Sequence, residues 1–196
     1  MSAPAAGPPI DLGPALQALA RGEIVAFPTE SSYGLAVDAL DAAALERLWA
    51  LKQRPPDKVV ALIVADRAMA ATLCRQIPPA AETLMAAHWP GPLTLALPAR
   101  PGLPAALVAE GFVAMRCSSH PVARALAAGL GRPITATSAN RAGGAPAHTA
   151  SEVRDSFPAG CLVLDGGPAG GGAPSTLARI QEDGRIQLLR AGPVLL

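Results

Sequence analysis

Large aromatic rings are almost missing from this sequence: three Phe, two Trp and one Tyr make up 3 % of a chain that is 51 % hydrophobic. The core must therefore be assembled from Ala, Val, Leu and Ile, and abundant Ala favours helices packed closely on a sheet. Excess charge is missing too. Sixteen Lys and Arg stand against 15 Asp and Glu, a formal net charge of +1, so no broad field attracts nucleic acid and any anion must be held locally. Cysteine is sparse: Cys74, Cys117 and Cys161 are odd in number and lack C-x-x-C spacing. That removes a zinc site and a closed disulfide framework, and reads as reduced thiols in a cytoplasmic protein. No run reaches the roughly 18–20 uninterrupted apolar residues that cross a bilayer, and Met1–Pro9 has no basic n-region, so neither membrane insertion nor secretion is expected. Three catalytic signatures are absent as well: the G-x-x-x-x-G-K-[ST] phosphate loop, the G-x-S-x-G nucleophile elbow and H-E-x-x-H. Serine-hydrolase and metalloenzyme readings lose ground accordingly.

What is present fits one domain, because 196 residues close a single core efficiently. Residues 1–10 are rich in Ala, Pro and Gly and read as a disordered tail, leaving 11–196 as the domain. Apolar runs and turn signals alternate. The pattern predicts a helix near Pro14–Arg21, a strand over Ile24–Phe27, a loop from Thr29 to Gly34, and a helix capped by Asp41 that delivers Lys52 at its end. Strands are expected at Val59–Val64, Leu93–Leu97, Phe112–Met115, Ile134–Ala136 and Cys161–Leu164, with helices from Asp66, over Pro79–His88, over His120–Ala128 and from a Thr149/Glu152 capping box. Asp165–Pro174 reads as a mobile glycine-heavy loop, and Thr176–Leu189 as a hairpin turning at Asp183-Gly184. Strands alternating with helices, closed by a hairpin, predict a mixed, twisted sheet with helices packed on it, an α+β fold.

Three segments carry candidate chemistry. Pro28-Thr29-Glu30-Ser31-Ser32-Tyr33-Gly34-Leu35 clusters hydroxyls where a buried strand meets a loop, which suits a ligand and equally suits a Ser/Thr turn. Lys52-Gln53-Arg54-Pro55-Pro56-Asp57-Lys58 places three cations within seven residues, stiffened by two prolines; such a set can clamp phosphate, or simply solvate a turn. Thr135–Gly144 passes from an apolar strand into hydroxyls, an amide and glycines, where backbone amides can approach an anion. Taken singly, Arg116 and Arg190 read as exposed strand-end arginines, His120 as a capping or core residue, and Trp89 as a core residue beside a turn.

Taken together, Pro28–Leu35, Lys52–Lys58, Trp89-Pro90-Gly91-Pro92-Leu93-Thr94, Arg116 with His120-Pro121, Thr137–Asn140, Ser175 and Arg190 resemble the YrdC/TsaC family in its short, stand-alone form, from about Gly22 to Gly192. The resemblance implies a YrdC-like domain whose twisted mixed sheet surrounds a basic, concave cavity. It implies synthesis of threonylcarbamoyl-adenylate and pyrophosphate from L-threonine, bicarbonate and ATP, with Mg2+ arriving on ATP and no metal site built from the chain. Residue by residue, it places Ser31, Arg116 and Ser175 on threonine and Lys52, Arg54, Lys58, Ser138, Asn140 and Arg190 on the nucleotide, with Lys52, Arg54 and Lys58 as the catalytic cations. It implies a downstream tRNA threonylcarbamoyl transferase as partner and admits weak RNA binding. The rivals on the same scaffold are an RNA-binding module and an enzyme using carbamoyl phosphate. Two stretches depart from the family pattern, Cys117-Ser118-Ser119 after Arg116 and Arg141-Ala142-Gly143 after Ser138-Ala139-Asn140.

Overall fold

A computed structural model describes residues 10–53 and 60–196. The expected tail, apart from Ile10, and the candidate cations Arg54 and Lys58 lie outside the described residues. Ile10 itself is half-buried against the core, so the domain begins at least one residue earlier than composition suggests.

The chain runs α1 (Gly13–Ala20), β1 (Val25–Pro28), β2 (Tyr33–Ala36), α2 (Ala42–Lys52), β3 (Ala61–Ile63), α3 (Arg67–Ala71), α4 (Pro79–His88), β4 (Leu93–Pro98), β5 (Val108–Ala109), β6 (Phe112–Arg116), α5 (Pro121–Leu130), β7 (Ile134–Ser138), α6 (Ala150–Ser156), β8 (Leu162–Val163), β9 (Thr176–Ile180) and β10 (Ile186–Arg190). Helix starts follow local chemistry. Asp41 accepts from the amides of Ala43 and Ala44, Asp66 from Met69, and Thr149 from Glu152, satisfying donors that a first turn leaves unpaired. Glu152 completes its side of the box on the His148 amide, one residue before the cap. The expected loop from Thr29 to Gly34 is shorter than its composition predicts: Tyr33 and Gly34 already pair with Pro28 and Phe27, so the hydroxyls occupy a tight turn between two strands.

The strands form one mixed sheet in the order β10-β9-β4-β6-β3-β7-β2-β1-β8, with β5 beside β6. The β4–β9, β3–β6 and β1–β8 pairs are parallel and the others antiparallel, as the closing hairpin requires. No helix among the described residues is long and apolar enough to cross a membrane.

One face of this sheet is sealed by α2, α4 and α6, through Leu45, Leu48, Met85 and Val153 against Leu62, Leu95 and Met115. The other face is covered over only part of its length. There α1 and α5 pack Leu19, Leu126 and Ala127 on Phe27, Ile63 and Ile134. Two residues along the same face, where side chains of one strand recur, Ala61 pairs with Ala136, and Ala96 with Ala114. Methyl groups in place of large side chains leave open space, and that space is the cleft.

Candidate active site

The cleft encloses about 380 Å3 and is lined by Ser31, Thr94, Arg116, Ser138, Ser175 and Arg190 among others. It continues into a second lobe of about 350 Å3 that shares Ala61, Thr94, Ser138 and Arg190 and reaches Arg179. Among the described residues that line the two lobes there are three arginines and no carboxylate.

Ser31 is presented by the β1–β2 turn. Thr29 Oγ1 donates to the Ser32 carbonyl at 2.7 Å and accepts from the amides of Ser31 and Ser32, which fixes the turn from within. The glycine loop locks it from outside: the amides of Gly171 and Gly172 donate to the carbonyls of Ser31 and Glu30. A Cβ at Gly170 would lie 2.7 Å from the Glu30 carbonyl oxygen, so this approach needs glycine. With Tyr33 Oη donating to the Gly167 carbonyl and the Ala169 amide to His148, the segment expected to be mobile is hydrogen-bonded along much of its length.

Ser175 precedes β9, and its hydroxyl shares a 2.7 Å hydrogen bond with Thr94. A bulge between Leu188 and Arg190 re-aims the end of β10, and the Arg190 guanidinium donates to the Ser175 carbonyl at 2.8 and 3.0 Å and to its hydroxyl at 3.1 Å. Arg190 is exposed at the strand end, as read from the sequence, and is tethered to Ser175 where it lines the cleft.

Arg116 overturns its reading as an exposed residue: its side chain is only 11 % exposed and forms an ion pair with Glu30. Burial, and then the neighbouring Arg190, pull its guanidinium down to about 10, which still leaves it cationic at neutral pH. Ser118 donates to the other Glu30 oxygen at 2.5 Å and accepts from the His120 amide. His120 makes no side-chain cap, and burial with Arg124 nearby lowers its pKa, so it is neutral at pH 7.

Lys52 and Asn140 sit behind the cleft. Lys52 is 4 % exposed, and its ammonium donates to the carbonyls of Ser138 and Asn140, while its own carbonyl accepts from Ala142. The Asn140 amide group spans the loop to the carbonyls of Arg141 and Gly144, and its Oδ1 takes the Ser138 hydroxyl. In this structure both hold the Ser138–Gly144 loop against the end of α2, where the resemblance implies nucleotide contact. Of the expected site residues, then, Ser31, Arg116, Ser138, Ser175 and Arg190 meet in one cleft, Lys52 and Asn140 support its wall, and Arg54 and Lys58 fall outside the described residues.

Sequence reasoning gave no role to Glu30, Thr94, Ser118 or Arg179. The alternation Leu177-Ala178-Arg179 in β9 was a signal for Arg179, which lies over the Phe112 ring and pairs with Glu110 at 2.7 Å. Nothing local marks Ser118. The thiols are not nucleophiles at neutral pH, since burial pushes Cys74 up to about 12 and Cys161 up to about 11, and raises Cys117. Among the described residues no group of three or more His, Cys, Asp or Glu could hold a metal ion.

The sequence model of the Sua5/YciO/YrdC family, described as telomere recombination, matches residues 17–192. A threonylcarbamoyl-AMP synthase of Chromohalobacter salexigens is 40 % identical over 171 residues, covering 85 % of this chain and 91 % of that protein. One from Bacillus subtilis is 39 % identical over 181 residues, covering 90 % of this chain and 51 % of the longer relative. Among solved structures, Sua5 of P. abyssi complexed with L-threonine superposes with a TM-score of 0.85 at 36 % identity, over 91 % of this chain and 53 % of that one. This chain thus spans about half of some longer relatives and nearly the whole of the first.

Proposed function

The chain belongs to the Sua5/YciO/YrdC family, and from that premise we propose that it is an L-threonylcarbamoyladenylate synthase, a nucleotidyltransferase that makes threonylcarbamoyl-AMP and pyrophosphate for tRNA modification. The observation that carries this reading is the convergence of Arg116, Ser31 and Ser175 with Ser138 and Arg190 in one two-lobed cleft. The relatives' names favour it over an RNA-binding module or a carbamoyl-phosphate enzyme.

In this reading the threonine nitrogen adds to bicarbonate, losing water and leaving a carbamate. A carbamate oxygen then attacks the α-phosphorus of ATP, and the bond to the β-phosphate oxygen breaks as pyrophosphate departs. The chain supplies orientation and charge rather than a covalent nucleophile. Arg116 offers a planar fork to the threonine carboxylate, with the hydroxyls of Ser31 and Ser175 beside it. Arg190 and Ser138, at the junction of the two lobes, face the nucleotide. Mg2+ would enter on the phosphates, which suits a chain whose described residues offer no acidic cage. Lys52 is assigned to holding the Ser138–Gly144 loop. Arg54 and Lys58 are assigned to the phosphates because the described residues on either side of them, Lys52 bonded to Ser138 and Ala61 in the cleft wall, border the site. A tRNA threonylcarbamoyl transferase acting on the product, and a cytoplasmic setting, complete the proposal.

The test is pyrophosphate release measured with ATP, Mg2+, threonine and bicarbonate, each omitted in turn. Release should require all four, and release indifferent to threonine would refute the reading. Arg54→Ala and Lys58→Ala should each lower turnover by about 10–100-fold, the loss expected from one charged contact to a phosphate, with an unchanged melting temperature. Variants that melt early would mean these cations support the fold instead.

A further inference from the structure

Glu30 makes and breaks no bond in the proposed reaction, yet its carboxylate sits against the guanidinium expected to hold threonine. Its surroundings are built. The turn that carries it is closed by Thr29 and clamped by Gly171 and Gly172, so its backbone is fixed. Ser118, fully buried, donates to Oε2 and is itself oriented by the His120 amide. Oε1 faces the Arg116 guanidinium as its buried ion-pair partner. An amino acid entering this pair brings an ammonium whose N–H donors can replace those of the guanidinium on that oxygen.

Glu30 does not itself line the cleft but pairs with Arg116, which does, so opening that pair sets a cation and an anion side by side, the complement of an α-amino acid, which carries a carboxylate and an ammonium on one carbon. We infer that Glu30 is the specificity-determining partner of the threonine ammonium: the amino acid inserts into the Arg116–Glu30 pair, its carboxylate taken by the guanidinium and its ammonium by Oε1, while Ser118 keeps Oε2 in place. This inference rests on the proposed function. It explains why the wall formed by Cys117-Ser118-Ser119 carries a buried hydroxyl, because a carboxylate that exchanges partners needs a tether that does not. It also implies that acids lacking an α-amino group bind poorly, since they would leave Glu30 both displaced from Arg116 and unpaired.

The experiment compares L-threonine with 2,3-dihydroxybutyrate, in which a hydroxyl replaces the ammonium, by titration calorimetry on the native protein and on Glu30→Gln, together with steady-state kinetics. In Glu30→Gln the KM for threonine should rise about 10–100-fold, the range for a hydrogen bond between charged groups, while the KM for ATP stays within about twofold. The preference for threonine over the hydroxy acid should fall by a similar factor. A threonine KM that is unchanged or lower, with the preference retained, would overturn the inference and leave Glu30 as a partner of Arg116 alone. Should Glu30→Gln fail to fold, Glu30→Asp decides: its withdrawn carboxylate should cut the preference several-fold, and an unaltered preference overturns the idea. Threonine-dependent pyrophosphate release by the native protein is the control. Its absence fells the proposed function, whereas its presence alongside an indifferent Glu30→Gln fells only this inference.

Discussion

Replacing Arg116 with alanine should reduce threonine-dependent kcat/KM by about 30–4,000-fold, because truncating one member of a buried, charge-paired contact costs roughly 2–5 kcal/mol and each 1.4 kcal/mol is a factor of ten. The loss should appear in threonine binding, read by calorimetry, with ATP binding much less affected. Arg116→Lys should restore only part of it, since an ammonium keeps the charge and loses the two-pronged geometry. The alanine variant also strands the Glu30 carboxylate, which is 20 % exposed beside the vacated position. Its melting temperature should fall, and the double variant with Glu30→Gln should recover stability without recovering activity. The pH dependence follows from the same burial. Even pulled down to about 10, the guanidinium is charged throughout the neutral range, so threonine affinity should stay flat there as pH falls and be lost only on the alkaline side, where the ligand's own ammonium also gives up its proton. Wild-type affinity for threonine in an Arg116→Ala protein would refute the assignment.

Lys52→Met should melt early and lose activity together. The ammonium of Lys52 lies almost entirely inside the protein and satisfies the carbonyls of Ser138 and Asn140. Methionine fills much of the same volume and leaves both carbonyls unsatisfied, at about 1–3 kcal/mol each. For a domain of this length a loss of that size lowers the melting temperature by about 4–24 °C. Pyrophosphate release should drop at least about tenfold because Ser138 loses its backing. The informative comparison is between ligand-free proteins: a lysine that served only the nucleotide would leave the ligand-free melting temperature unchanged. That result, with a raised KM for ATP alone, would return Lys52 to the phosphates.

The difference between these two cations shows where sequence reading ran out. Both belong to segments that resemble the family pattern, yet Arg116 was read locally as exposed and is buried in the cleft, while Lys52, expected on the nucleotide, also ties the carbonyls of Ser138 and Asn140 to the end of α2. Exposure depends on what packs over a position, and that is contributed by distant strands. The β1–β2 turn illustrates the same limit on a smaller scale: Thr29–Gly34 is polar enough to read as a loop throughout, but ladder pairing of Tyr33 and Gly34 with β1 outweighs local preference. The glycine loop, too poor in side chains to pack, is held by main-chain hydrogen bonds to Ser31, Glu30 and His148 that composition cannot report.

The amino-acid sequence by itself determined the helix starts at Asp41, Asp66 and Thr149, the turn at Asp183-Gly184 and the run of alternating strands and helices, because caps, glycine turns and apolar periodicity act over a few neighbouring residues. It also supplied the cations and hydroxyls of the site. Only the tertiary structure decided how they are used. Thr94 meets Ser175 across 81 residues and Glu30 meets Ser118 across 88, contacts set by strand order and register. The cleft exists because α1 and α5 cover one part of a sheet face while Ala61, Ala96, Ala114 and Ala136 leave the other part open. No local pattern encodes which alanines face helices and which face solvent, since burial is a property of the assembled layers.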